Sequence, residues 1–206
     1  MNVLVAGAGG VLGRELVRQA LARGDHVAAL VLRKGELRVI EHPRLRIIEA
    51  DVVKPEQLAG ICKGMEQVVS CIGITRLRGK LTHEIVDYQG NLNLLEEAKR
   101  SGVAKFGFIS PAGTELGCGH APLVDAKYRF EQALQASGVP WVIFRSGGFF
   151  PDVAEMLKLA AKARSTPSAT AVPAARPSIS RIWPPSCWRI WGGRPTPSSA
   201  SAAPKT

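Results

Sequence analysis

The sequence predicts a doubly wound α/β fold, a parallel sheet with helices on both faces, over its first 160 residues. Three observations carry that prediction. Short β-branched runs alternate with helical patterns as far as residue 160, which is how successive βα units are written. A glycine-rich stretch follows the first run and opens the first helical pattern. The chain has 206 residues, 46% hydrophobic and 21% charged, which suits one sizeable core and excludes a disordered or fibrous polymer.

Taken in order, the strand candidates are residues 2–6, 26–32, 45–49, 67–71, 105–109 and 141–145. Between the first two, Leu12, Leu16 and Ala20 fall on one helical face. Later, Leu92, Leu95 and Ala98 do the same, with Arg, Glu and Lys on the other faces. Ser101-Gly102-Val103 stops one helix before a strand, and Ser137-Gly138-Val139-Pro140 stops the next. The expected strand order is 3-2-1-4-5-6.

The formal charge of +10 is unevenly spread. Residues 161–206 hold seven Lys/Arg and no Asp/Glu, so that stretch supplies seven of the ten net charges. The global basicity therefore does not argue for a nucleic-acid partner. No apolar run approaches the roughly 20 residues of a bilayer span, and the first ten residues lack a basic leader pattern. No membrane partner and a cytoplasmic location are the resulting expectations. Cys62, Cys71, Cys118 and Cys187 show no C-x-x-C spacing, and His26, His42, His83 and His120 show no ligand spacing. Reduced thiols and no metal site are expected.

From Ala161 onward the composition changes, with eight of the 14 prolines and three of the four tryptophans, and no periodic element. A low-complexity, disordered tail would explain the composition. The tryptophans favour another explanation, translation in a shifted frame beginning near Lys162. Because Trp has the single codon TGG, reading from the last base of each preceding codon turns Trp183, Trp188 and Trp191 into Leu or Met. Residues 182–193 then read as an amphipathic helix with an acidic start and a glycine stop. On this reading the native C-terminal lobe has been replaced.

The sharpest motif is Gly7-Ala8-Gly9-Gly10-Val11-Leu12-Gly13, between the first strand and the first helix. A tight turn there needs residues without Cβ, a diphosphate needs close backbone approach, and a helix N-terminus offers free N–H groups and a favourable dipole. This predicts a Rossmann-type dinucleotide site. The second strand runs into Arg33-Lys34 where an NAD-preferring site carries an acidic residue. Two cations suit the 2′-phosphate of NADP(H), leaving NAD(H) as the second candidate; a solvated basic loop is the alternative. Arg14, in the first helical turn, is a further phosphate candidate. Asp51-Val52 ends the third strand, where Asp51 meets the adenine edge or caps the helix before Pro55. Cys71-Ile72-Gly73-Ile74 ends the fourth, at the edge where ligands lie in such sheets.

These residues resemble the atypical short-chain dehydrogenase/reductases, specifically their NmrA-like, NAD(P)H-binding branch. The resemblance covers approximately residues 2–160. It rests on residues 7–13, Asp51-Val52, residues 71–74, Val86-Asp87-Tyr88-Gln89-Gly90-Asn91 with Asn93-Leu94-Leu95-Glu96, Phe108-Ile109-Ser110, Ala126-Lys127, and Phe144-Arg145-Ser146-Gly147-Gly148-Phe149-Phe150. The resemblance implies Lys127 as the ribose-holding lysine and Ser110 as the serine that orients a carbonyl. The tyrosine that would donate a proton, four residues before the lysine, is Leu123 here. Tyr128 lies about 100° around the helix from Lys127 and does not substitute. A surface lysine beside Glu131 is the alternative for Lys127. Phe149-Phe150-Pro151 is expected to pack a loop at the cofactor mouth or to join the core. The implied function is NADPH-dependent reduction of a small organic acceptor such as a quinone, enone, carbonyl or flavin. The alternative is a non-catalytic NADP(H)-sensing regulatory or assembly protein.

Overall fold

The computed structural model of the chain describes residues 1–37, 40–74, 81–114, 119 and 121–146. The side chain of Lys34, residues Cys118, His120, Phe149, Phe150 and Pro151, and the stretch 161–206 lie outside the described residues.

Six parallel strands form one sheet: β1 (Asn2–Ala6), β2 (His26–Val31), β3 (Leu45–Glu49), β4 (Gln67–Ser70), β5 (Lys105–Pro111) and β6 (Trp141–Ser146). Their spatial order is β3-β2-β1-β4-β5-β6, as expected from the sequence. In register, Leu4 pairs with Ala28 on one side and Val68 on the other. The central strands are nearly continuous apolar runs, with Val3, Leu4, Val5 and Ala6 at most 1% exposed. Burial on both faces of a parallel sheet requires this. The edge strands β3 and β6 are only partly covered.

The helices are α1 (Val11–Ala22), α2 (Asn91–Arg100) and α3 (Pro122–Ala136). Leu16 and Ala20 of α1 are buried, together with Gly13, Val17 and Leu21. In α2 the buried stripe differs from the expected one: Asn91, Leu94, Leu95, Glu97 and Ala98 are covered, while Leu92 only flanks the core. A π-helical turn, Glu84–Gly90, runs directly into α2. The buried stripe Asn91, Leu94, Leu95 and Ala98 follows the i, i+3, i+4, i+7 spacing of an α-helical face. Glu97 is tolerated inside because its carboxylate accepts from Gly60 N at 2.9 Å, Ser101 Oγ at 2.9 Å and Arg100 Nη2 at 3.0 Å. The α2 stop is as expected. Gly102 adopts φ +68°, its N–H reaches Lys99 O, and Val103 N reaches Ala98 O, which satisfies two of the helix's last carbonyls. Between α3 and the sheet, Phe130 packs edge-on against Phe108, with ring centroids 4.5 Å apart.

Between β1 and β4 the order of connection reverses, so their carboxyl ends open a crevice where ligands of such sheets lie. No described helix is long and apolar enough to cross a membrane. No cluster of three or more His, Cys, Asp or Glu that could hold a metal ion occurs among the described residues.

Candidate functional site

The glycine loop leaves β1 and wraps onto α1 through its own backbone. Gly7 has φ +76°, a conformation that side chains disfavour. Gly7 N and Ala8 N both donate to Leu30 O at 3.1 Å, and Gly10 N closes a turn on Gly7 O at 3.1 Å. A Cβ at Gly13 would lie 2.2 Å from Gly7 O, and one at Gly7 would lie 2.9 Å from Cys71 O. The loop thus touches both its own helix and the end of β4, with no room for side chains at either contact. Gly10 caps α1 without a side-chain hydrogen bond, and the first turn carries no acidic residue. The helix therefore presents unneutralised N–H groups and the positive end of its dipole to the crevice. Arg14 Nε, in that first turn, is buried without a hydrogen-bond partner.

Beyond β2, Arg33 is exposed and its carbonyl accepts from Glu36 N at 2.9 Å. The chain then makes a short 3-10 turn, Lys34–Leu37, anchored by Leu37, which is 1% exposed. This turn brings the Glu36 side chain back onto Gly9. At the end of β3, Asp51 does not cap the next helix as the sequence allowed; Lys54 holds the N-cap position of the short helix Pro55–Leu58, with no side-chain cap. Asp51 Oδ1 accepts from Val53 N at 3.1 Å, and its own N–H donates to Gln57 Oε1 at 2.8 Å, a local turn that fixes the strand end. Val52 O accepts from Asn93 Nδ2 at 2.9 Å, so α2 holds the backbone beside Asp51.

The β4 end is organised by buried polar groups. Ser70 Oγ donates to Asn91 Oδ1 and accepts from Ile72 N at 3.3 Å, while Asn91 Nδ2 donates to Asp87 O at 2.8 Å. Lys127 reaches across from α3. Its Nζ donates to Ile72 O at 3.0 Å, lies 3.4 Å from Ile109 O and from Asp87 Oδ1, and stands 4.8 Å from the Phe108 ring centroid. At 8% exposure it is not a surface lysine paired with Glu131, so that alternative is corrected. Burial pulls the Lys127 ammonium below its usual range, and Asp87 opposes that shift through its charge and hydrogen bonding. Asp87, fully buried, also lies 3.0 Å from His83 Nδ1 and accepts from Ile74 N at 3.4 Å. Gly73 sits against this pair: a Cβ there would lie 2.6 Å from Asp87 Oδ1 and 3.3 Å from Lys127 Nζ. Cys71 is adjacent, its thiol pushed up to about 12 by burial, with Lys127 pulling weakly the other way. Burial thus disfavours its thiolate.

Ser110 is 1% exposed and follows Ile109, whose carbonyl faces Lys127. Nearby, Glu131 accepts from Arg145 Nη2 at 2.6 Å and Thr114 Oγ1 at 2.8 Å. Burial alone would raise the Glu131 carboxyl, but Arg145, Ser110 and Thr114 together hold it below its usual range. Ser110 Oγ contributes by proximity, without a hydrogen bond of normal geometry. Leu123 and Tyr128 are half-buried on α3. The sequence reading gave no site role to His83, Glu36, Asp87 or Arg145, and named Glu131 only as a surface neighbour of Lys127. His83 and Asp87 stand four residues apart, which is the one local signal that could have joined them.

A cavity of about 230 Å³ elsewhere, lined by His26, Arg44, Leu45 and Met65, lies at the amino ends of β2 and β3. The ligand edge of the sheet is the opposite one.

A family profile described as NAD(P)H-binding matches residues 7–180. This chain belongs to that family. This agrees with the NAD(P)H-binding resemblance read from the sequence. The photosystem II assembly factor Ycf39 of Trieres chinensis is 30% identical over 155 residues, 75% of this chain and 48% of that protein. The chain spans about half the length of the curated relatives it matches. Among solved structures, the NADPH-dependent quinone oxidoreductase QOR2 of Escherichia coli, complexed with NADPH, superposes with a TM-score of 0.63 at 18% identity, over 79% of this chain and 54% of its own. The Bordetella bronchiseptica enzyme WbmH, in complex with NAD+, gives 0.58 at 20% identity, over 77% and 63% of the two chains. At these identities the superpositions establish the fold.

The residues present fit a nicotinamide dinucleotide. The cradle at Gly7 and Gly13 admits no side chain, and Arg14 leaves a buried guanidinium nitrogen without a partner beside an uncapped helix N-terminus.

Proposed function

We propose that this NAD(P)H-binding protein works by occupancy rather than turnover, as a regulatory or assembly protein whose state follows the bound dinucleotide. The observation that carries this reading is on α3: the position one turn before Lys127, where a proton donor would stand, is Leu123. Lys127 itself is engaged with Ile72 O and Asp87. The match to proteins named as photosystem II assembly factors supports the same reading.

In this reading residues 7–13 and Arg14 seat the diphosphate, and Arg33 faces the adenosine ribose. Asp51 and Val52 border the adenine. Cys71, Ile72 and Gly73 border the nicotinamide end, where Lys127 holds the ribose and Ser110 lies behind it. When bound, the nicotinamide supplies a transferable hydride. The chain's own work is to bind and orient it. The second reading, hydride transfer to a small acceptor such as a quinone, enone, carbonyl or flavin, is favoured by Gly73, which is exposed beside Lys127.

Titrating the protein into NADPH and NADH by nicotinamide fluorescence, then following oxidation against a panel of quinones, enones and flavins, separates the readings. Saturable binding without oxidation is the expected result. Saturable turnover of any acceptor overturns occupancy as the sole output, and absence of binding overturns both.

A further inference from the structure

Glu36 occupies a place the sequence pattern did not reveal. The expected acidic residue at the end of β2 is absent from the strand itself, which runs into Arg33 and Lys34. The 3-10 turn Lys34–Leu37 reverses the chain, and burial of Leu37 fixes that reversal. Glu36 consequently packs along Gly9: a Cβ on Gly9 would lie 2.1 Å from Glu36 Oε2, 2.9 Å from its Cβ and 3.0 Å from its Cδ. The carboxylate fills the notch that the missing side chain of Gly9 leaves. No described residue makes an ion pair or hydrogen bond to it. Among the described residues it therefore stands unpaired, between the glycine loop and the end of β2.

That location has a chemical meaning if residues 7–13 seat a diphosphate. The adenosine ribose attached to the diphosphate must then lie between the loop and the β2 end, next to Glu36 on one side and Arg33 on the other. A carboxylate accepts hydrogen bonds from ribose hydroxyls and repels a 2′-phosphate. A guanidinium does the reverse. We propose that Glu36 is the nucleotide-selecting residue of this chain: its carboxylate, folded back onto Gly9, opposes Arg33 and admits the unphosphorylated ribose of NAD(H). This inference rests on the dinucleotide reading above and changes its expected preference, because the basic pair alone would favour NADP(H).

The experiment compares wild-type protein with Glu36→Gln and Arg33→Gln, measuring dissociation constants for NADH and NADPH by fluorescence. ADP and 2′,5′-ADP, measured by calorimetry, isolate the ribose end from the nicotinamide. Removing one charge beside a 2′-phosphate should tighten NADPH and 2′,5′-ADP by about tenfold in Glu36→Gln. NADH and ADP should weaken or stay level. Arg33→Gln should move the ratios the opposite way. Unchanged ratios in Glu36→Gln, with wild-type protein binding the nucleotides, overturn the selecting role and leave the dinucleotide reading standing. Wild-type protein that binds none of the four compounds overturns the dinucleotide reading, and the inference with it. Thermal melting of both variants checks that each remains folded.

Discussion

The two sides of the crevice are built by different means. On the β1–β2 side the contacts are backbone to backbone: Gly7 and Ala8 on Leu30, Gly10 on Gly7, Gly13 against Gly7. On the β4–β6 side they are side chains in the interior: Ser70 with Asn91, Asp87 with Lys127 and His83, Glu131 with Arg145 and Thr114. The first side has little to lose in burial energy and everything to lose in shape. The second depends on ionised groups whose removal from water is compensated only while every partner is in place. Binding should therefore fail first on one side and folding on the other.

The largest effect is expected at the Asp87–Lys127 pair. Lys127→Met leaves Asp87, fully buried, without its cation, a loss that typically costs about 3–5 kcal/mol. Chemical denaturation should show that drop. The double variant Asp87→Leu with Lys127→Met should recover much of it, because replacing a buried pair by apolar groups is far less costly than breaking it. A single variant as stable as wild type would show that the pair adds nothing to the β4–β6 side.

The contrast also explains what was legible beforehand. Seven consecutive residues spell the glycine loop, and the contact that excludes a side chain at Gly13, against Gly7 O, is local. The six strands and their order follow from runs of apolar residues and the alternation between them. Lys127 and Asp87 are forty residues apart and meet only because crossovers bring α3 and the π-helical turn together at the ends of β4 and β5. No periodicity reports such a meeting. Glu36 was illegible for a related reason: it lies beyond the strand, and only the turn back at Lys34–Leu37 brings it to Gly9. Glu97 looked like surface because its three hydrogen-bond donors come from Gly60, Ser101 and Arg100, one of them distant in sequence.

A smaller effect on stability, with a larger one on binding, is expected at Gly13. Its Cβ would meet backbone rather than a movable side chain, 2.2 Å from Gly7 O and 2.7 Å from Ala8 Cα. Gly13→Ala should cost about 1–3 kcal/mol as overpacking. It should also displace the turn that offers N–H groups to a diphosphate, and so abolish detectable nucleotide binding by fluorescence. Retained affinity would remove the shape argument for the β1–β2 side.

The smallest effect separates charge from shape within the β4–β6 side. The Glu131 carboxyl is held below its ordinary range in the folded protein, despite burial, by Arg145, Ser110 and Thr114. A group depressed on folding contributes stability that is fully present above its unfolded pKa, near the usual carboxylate range. That contribution is lost as pH falls through the lower folded value. Wild-type protein should therefore lose stability on acidification below about pH 4.5, and Glu131→Gln should flatten that part of the profile. At neutral pH the amide can still accept from Arg145 and Thr114, so the variant should lose less stability than Lys127→Met does. Equal acid slopes in denaturation series of the two proteins would mean that Arg145, whose side chain is 39% exposed, is too well solvated to hold the carboxylate. The acid sensitivity of this side would then have to come from other carboxylates.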